Sequence, residues 1–259
     1  MSSEIKRISH SFPPDYLENN KYLAHVHTVF QDLKLDIDPQ KVHYRGIKNS
    51  SELRELKLLH KEWFPPDYPQ EFFDELFKNK FYKAILAVYD IEYKKQKMSV
   101  ILGCITYEQK EANYDFVKFS LSDLYSDKLC LYILTFGVIN EVRNKGIGSA
   151  LIKRLIQTAK ENNQIKCLSL DVVHYNDQAV GCYKKNGFVY VMRQKNYYDI
   201  FGKEYDALVY CYYLNGGKKP INITDLFKSC CSKLNFPYYL FKSCQKCLKR
   251  EKSEKMKEI

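Results

Sequence analysis

Apolar residues follow no regular period until about Lys41. Residues 1–40 are polar, carry Pro13, Pro14 and Pro39, and predict a weakly ordered extension. Val42, Tyr44 and Ile47 then alternate as a first strand, and Ser50 and Ser51 predict the cap of a helix carrying Leu53, Leu56, Leu59 and Trp63. FPPDYP stops that helix, and Phe72, Phe73, Leu76 and Phe77 fall on one face of a second helix spanning Glu71–Phe77. FYKAILAVYDIEY and MSVILGCITYEQ predict a hairpin closed by KKQK. The run Leu129–Ile139 reads as a buried strand. Beyond it the pattern predicts a helix from about Ile147 to Asn162, the strand CLSLDVV, a helix over Asp177–Lys185, and the strands FVYVMRQ and YDALVYCYYL. Hairpins mixed with helical crossovers imply a mixed α/β (α+β) fold rather than a doubly wound parallel sheet.

After Pro220 the period changes. Leu226, Phe227, Cys230, Cys231 and Leu234, then Leu240, Phe241, Cys244, Cys247 and Leu248, place apolar residues at i, i+1, i+4 and i+8 with lysines around them. Residues 218–259 hold 11 Lys or Arg against 4 Asp or Glu, so +7 of the chain's +10 formal charge sits there. Two basic amphipathic helices with no core left to cover suit an anionic membrane interface, and cysteines so placed are candidates for palmitoylation. Packing onto the folded domain is the plainer alternative. Zinc is disfavoured because only Cys244 and Cys247 have ligand spacing, so no metal is expected. The organisation expected is an extension over 1–40, one domain over 41–217 and a membrane-binding tail over 218–259.

No stretch reaches the ~18 apolar residues of a membrane-spanning helix, and MSSEIKRISHSFPPDY has no secretory apolar region. The nine cysteines are scattered and read as reduced thiols of a cytosol-facing protein that is not secreted. Cys104, Cys130, Cys167, Cys182 and Cys211 fall in apolar patterns and are expected in the core. The basic charge permits nucleic-acid binding, but no binding module accompanies it, so no nucleic-acid partner is expected.

The most informative stretch is Leu131–Ala159, where a strand runs through Arg143-Asn144-Lys145-Gly146-Ile147-Gly148 directly into an amphipathic helix. Glycines let the backbone approach a phosphate, and the helix start aims free N–H groups and a favourable dipole at it. A tight strand-to-helix turn would look the same. The pattern Arg143-x-x-Gly146-x-Gly148 after a strand, with Asn176 and Tyr183 downstream, resembles the acetyl-CoA signature of the GNAT superfamily over about residues 41–215. Phe64-Pro65-Pro66-Asp67-Tyr68-Pro69, Tyr132-Ile133-Leu134-Thr135-Phe136-Gly137-Val138 and Asn196-Tyr197-Tyr198 are similar to segments of the N-terminal acetyltransferases that act on Met-starting proteins. These are the NatE catalytic subunit and especially the Golgi-attached NatF type, which the tail also resembles.

The resemblance implies a GNAT fold, with a mixed sheet splayed between two central strands and acetyl-CoA in the gap. Phe136, Gly137, Val138, Arg143, Asn144, Lys145, Gly146, Ile147, Gly148, Ser149, Asn176 and Tyr183 would hold this co-substrate. Phe64, Pro65, Pro66 and Tyr68 would line one wall of the substrate mouth, with Tyr197 and Tyr198 closing the other. The same resemblance implies protein N-termini as substrates and the cytosolic face of an organelle membrane, the Golgi, as location.

Only a neutral amine attacks a thioester, and an α-amine at ~7.7 to 8.0 is easier to neutralise than a lysine at ~10.4. Tyr132 sits where the family keeps a tyrosine that helps deprotonate the amine through water. Asp171 stands where NatE and NatF types usually have a histidine, and an unperturbed carboxyl near 3.9 matches an amine poorly unless burial raises it. Three readings stay open: Asp171 passes the proton through water, His174 supplies an imidazole, or Tyr132 and water suffice. The other function classes are a GNAT enzyme acting on lysine or a small amine, and a non-catalytic acyl-CoA-binding adaptor.

Overall fold

The computed structural model describes residues 37–64, 67–93, 95–112 and 128–219. The remainder of the expected extension, Pro65 and Pro66, and the tail beyond Lys219 lie outside the described residues. The described residues open with Ile37, a buried residue of the core, followed by a single 3-10 turn at Pro39–Lys41 that Asp38 caps. The elements are β1 (His43–Arg45), α1 (Ser50–Trp63), α2 (Gln70–Lys78), β2 (Tyr82–Tyr93), β3 (Gln96–Glu111) and β4 (Leu129–Val138). They continue with α3 (Ile147–Lys160), β5 (Ile165–Val173), α4 (Asp177–Lys185), β6 (Val189–Ile200) and β7 (Lys203–Tyr213).

Two details differ from the sequence pattern. The cap of α1 is Asn49, whose side chain accepts from the Glu52 N–H at 3.0 Å, and Ser50 is already the first helical residue. Asn49 is extended, with φ −152°, the conformation a capping side chain needs to reach back to the first turn. β6 does not end near Gln194 but runs to Ile200, because a bulge carries it past a break in register. Gln194 pairs with Ala207 and Tyr198 with Tyr205, so three residues of β6 oppose Asp206 alone.

The strand order is β1-β2-β3-β4-β5-β7-β6. Among the described residues β4–β5 is the parallel pair, joined through α3 as a parallel connection requires. Helix α3 buries Ile147, Leu151, Ile152, Leu155, Ile156 and Ala159, the i, i+4 stripe of an amphipathic helix, and each large side chain so buried is worth roughly 1.5–3 kcal/mol. Cys104, Cys130, Cys167 and Cys211 are buried as expected, whereas Cys182 is half-buried.

The functionally decisive feature is where β4 and β5 stop pairing. They match from Leu129↔Ile165 to Tyr132↔Ser169 and then part. β4 continues to Val138 paired only with β3, and β5 continues to Val173 paired only with β7. A fork therefore opens in the sheet just beyond Tyr132.

Candidate active site

At the base of the fork the Tyr132 hydroxyl donates to Asp171 Oδ2 at 2.5 Å. Tyr132 aligns with Ser169, so Asp171, two residues further along β5, shares its face of the sheet. Burial, then the bond to Asp171, pushes the Tyr132 hydroxyl far above the ordinary tyrosine range: it stays protonated and acts as a donor. Lys110, on the neighbouring strand, holds its ammonium 3.4 Å from the centre of the Tyr132 ring, a cation–π contact that fixes the ring from its other side.

His174 is placed elsewhere. It lies past the end of β5, its Nδ1 3.3 Å from the Asp206 carbonyl, with Tyr175 and Tyr205 packed around it. The structure thus brings Asp171 to Tyr132 and His174 to β7.

The glycine loop begins where Arg143 Nε donates to the Val138 carbonyl at 3.1 Å. Asn144 and Gly146 both adopt left-handed conformations, with φ 65° and 86°. A side chain at Gly146 would meet no atom within 4 Å, so the glycine serves its backbone conformation and keeps the loop's outer surface clear. No side chain caps the start of α3, which leaves its first-turn N–H groups available to an anion. Phe136 reaches towards this turn, since a Cβ at Gly148 would stand 3.0 Å from its ring, and its other neighbour is buried Tyr183 at 5.7 Å. Asn176 is the N-cap of α4, its Oδ1 accepting from the Ala179 N–H, so its amide oxygen is engaged in helix capping. Ser149 accepts from Asn186 at the far end of α4. Phe136, Gly148, Ser149 and Tyr183 are accordingly gathered at one place, and Lys145 and Ile147 flank Gly146 within the same turn.

The two candidate walls are built differently. On one, Phe64 and Tyr68 pack at 5.7 Å against each other and around buried His60. Trp63 lies directly on β4: a Cβ at Gly137 would fall 2.2 Å from its indole, so only glycine fits beneath the ring. On the other, the β6 bulge presents Tyr197, about half exposed, edge-on to half-buried Tyr198 at 5.0 Å. Asp206 holds that bulge, accepting from the Asn196 N–H and from Arg193. Burial foremost, then the Asp171 charge, raises the hydroxyls of both tyrosines, which therefore face the same carboxylate as Tyr132.

His60, Trp63, Lys110 and Asp206 were not among the sequence candidates. Trp63 and His60 follow the i, i+3 spacing of an inward helix face, the only signal available for them. Asp206 and Lys110 act through strand register that no local pattern encodes.

Comparison with known proteins agrees with this geometry. Residues 53–188 match the acetyltransferase (GNAT) family model. Histone acetyltransferase MCC1 of Arabidopsis thaliana is 28% identical over 194 residues, covering 73% of this chain and 76% of that protein. N-alpha-acetyltransferase 60 of Drosophila melanogaster is 31% identical over 204 residues, covering 68% of this chain and 71% of that protein. Arabidopsis thaliana NAA60, solved in complex with acetyl-CoA, superposes with a TM-score of 0.60 at 26% identity over 68% of this chain and 99% of that one. The same enzyme with a bisubstrate analogue gives 0.58 at 27%. With more than half of its length inside the family model and a relative above 30% identity covered over two thirds, the chain belongs to the acetyltransferase (GNAT) family, among its N-alpha-acetyltransferases.

Proposed function

We propose that the protein transfers acetyl from acetyl-CoA to the free α-amine of protein N-termini that begin with Met. The observation that carries this reading is the Tyr132–Asp171 hydrogen bond of 2.5 Å at the base of the β4–β5 fork. Acetyl-CoA fits the fork on two counts. The edges of Ile133–Val138 and Leu170–Val173 have lost each other as partners, which leaves strand backbone groups to pair with an extended amide-bearing arm. The uncapped start of α3 and the clear surface over Gly146 suit its phosphates. Acetyl-CoA supplies the thioester.

The chain's own residues move the proton. As the amine forms its bond to carbon, its proton passes to the Tyr132 oxygen while the Tyr132 hydroxyl proton passes to Asp171. Charge is conserved along this relay, and the tyrosine never has to ionise by itself. The departing thiolate takes up a proton from water, and Asp171 gives its proton back to the solvent, which neutralises the hydroxide and resets the Tyr132–Asp171 pair. Phe64 and Tyr68 on one side and Tyr197 and Tyr198 on the other offer rigid aromatic area for a Met side chain, and a narrow mouth favours a chain end over an internal lysine.

The basic amphipathic pattern after Pro220 supports attachment to an anionic, cytosol-facing membrane, with the Golgi the organelle implied by resemblance. Partition of the full chain onto anionic but not neutral vesicles is the outcome expected of that attachment.

The relationship to a protein named histone acetyltransferase favours one second reading, a lysine acceptor. CoA release with peptides beginning Met-Lys, Met-Leu, Met-Val or Ser-Glu, each with an N-terminally blocked, lysine-containing control, separates the two. Turnover of free Met-starting peptides that disappears on blocking is expected. Turnover of blocked peptides alone would replace the proposal with lysine acetylation, and cofactor binding without turnover would leave an acyl-CoA-binding adaptor.

A further inference from the structure

His60 is almost completely buried, yet both of its ring nitrogens are bonded. Nδ1 lies 2.9 Å from the Leu56 carbonyl, which can only accept, so Nδ1 carries the proton. Nε2 is then an acceptor, and its neighbour at 2.9 Å is the Thr135 hydroxyl, which must donate. Thr135 Oγ1 in turn takes the Thr106 hydroxyl proton at 2.7 Å, and Thr106 Oγ1 accepts the Thr135 N–H at 3.0 Å. Of the two neutral tautomers only Nδ1–H satisfies all of these contacts, and burial keeps the ring neutral.

The same ring is the hub of an aromatic cluster. Trp63, Phe64, Tyr68, Phe72 and Phe73 lie with their ring centres 5.3 to 5.9 Å from it. Phe64 and Tyr68 are the wall residues of the mouth, whereas Thr135 belongs to the strand that carries Tyr132. A single side chain thus joins the wall that would grip the substrate's first residue to the strand that would perform the chemistry.

We propose that His60 is a positioning residue that sets the spacing between the Phe64–Tyr68 wall and β4, and thereby the enzyme's preference for a long apolar first residue. The inference rests on the N-terminal acetylation reading for what enters the mouth. The hydrogen-bond chain itself is independent of that reading.

The test compares His60→Gln with His60→Asn. Glutamine carries its amide at the distance of Nε2 and can still meet Thr135. Asparagine is one bond shorter, keeping a donor near Leu56 but losing Thr135. With Met-starting peptides, His60→Asn is expected to raise the peptide KM roughly fivefold or more while kcat and the acetyl-CoA KM stay within about twofold. His60→Gln should recover most of the loss. The ratio of kcat/KM for Met-starting over Ser-starting peptides should fall in the asparagine variant. Equal peptide KM in wild type and both variants, or equal losses in both, would overturn the proposal, as would a fall in kcat with no change in peptide KM.

Trp63 is the single tryptophan of the chain and its ring centre is 5.9 Å from His60, so its emission gives a reading without substrate. Greater acrylamide quenching in His60→Asn than in His60→Gln is expected, and identical quenching would count against the spacing role. If wild type turns over no free N-terminal peptide, the functional reading fails while this fluorescence comparison still decides the spacing role.

Discussion

The two walls of the proposed mouth are built by opposite means. The α1–β4 wall is dry: His60 bonds both ways inside the core, and Trp63 occupies the space a side chain at Gly137 would need. The β6–β7 wall is wet: Tyr197 is about half exposed on a strand bulge, and one carboxylate, Asp206, ties that bulge to the sheet. Buried contacts fix geometry strongly because every lost partner leaves an unsatisfied group, whereas exposed ion pairs contribute little. The first wall is therefore built to hold its shape and the second to yield. Between them, Tyr132 and Asp171 belong to neither wall but to the base of the fork.

The largest effect should come from that base. Tyr132→Phe removes the hydroxyl of the proposed proton route and leaves the ring on which Lys110 rests. A loss of kcat on the order of 10² or more, with little change in peptide KM, is expected from steady-state kinetics on a Met-starting peptide. Asp171→Asn should follow in the same direction. An unchanged kcat in both variants would move the chemistry to water alone.

Next in size is the response of the dry wall to acid. Burial holds His60 down from 6.5 to about 4, so between these values the unfolded chain binds a proton that the folded chain refuses. Stability is then complete above about pH 6.5, falls as pH drops towards 4 and changes no further below it, amounting to ~3 kcal/mol in all. Denaturant melts of wild type and His60→Gln across pH 4–7 should show the slope in the first and its reduction in the second. The wet wall has no comparable buried histidine, so a slope surviving in the variant would remove the distinction.

Gly137→Ala attacks the same wall sterically. The added methyl would stand 2.2 Å from the Trp63 indole, far inside van der Waals contact, so the ring has to shift. Overpacking of this kind costs ~1–3 kcal/mol, and displacement of Trp63 should change its emission and raise the peptide KM together. An alanine variant with wild-type melting behaviour would show that α1 is not seated on β4 as described.

The difference between the walls also explains what was legible in the sequence. The glycine loop, α4 over Asp177–Lys185 and the long strand into the loop follow local patterns, and the structure has them within a few residues. Tyr132 and Asp171 lie 39 positions apart in sequence, and their contact depends on the parallel register Tyr132↔Ser169, which composition and period do not specify. His60 carries little signal of its own in the sequence, since a single histidine within a helix names no partner. Its role depends on Thr135, supplied by a strand far along the chain. The extension of β6 past Gln194 has no local pattern behind it, because it depends on the Asp206 carboxylate of the partner strand, which accepts from the Asn196 N–H across the break in register.

The smallest effect should come from loosening the wet wall. In Asp206→Asn the bulge keeps one acceptor oxygen for the Asn196 N–H but loses the charge that Arg193 faces. The pair is largely open to water on the arginine side, so the melting transition should barely move. Activity should respond differently from the dry-wall variants. Tyr197 and Tyr198 remain attached to a backbone that is freer to move, so peptide KM is expected to rise about two- to threefold with kcat unchanged or slightly higher if release of the acetylated chain end limits turnover. A stability loss as large as that of Gly137→Ala, with no change in KM, would mean that the β6 bulge is as rigid a part of the scaffold as β4. The contrast between a fixed and a yielding wall would then fall.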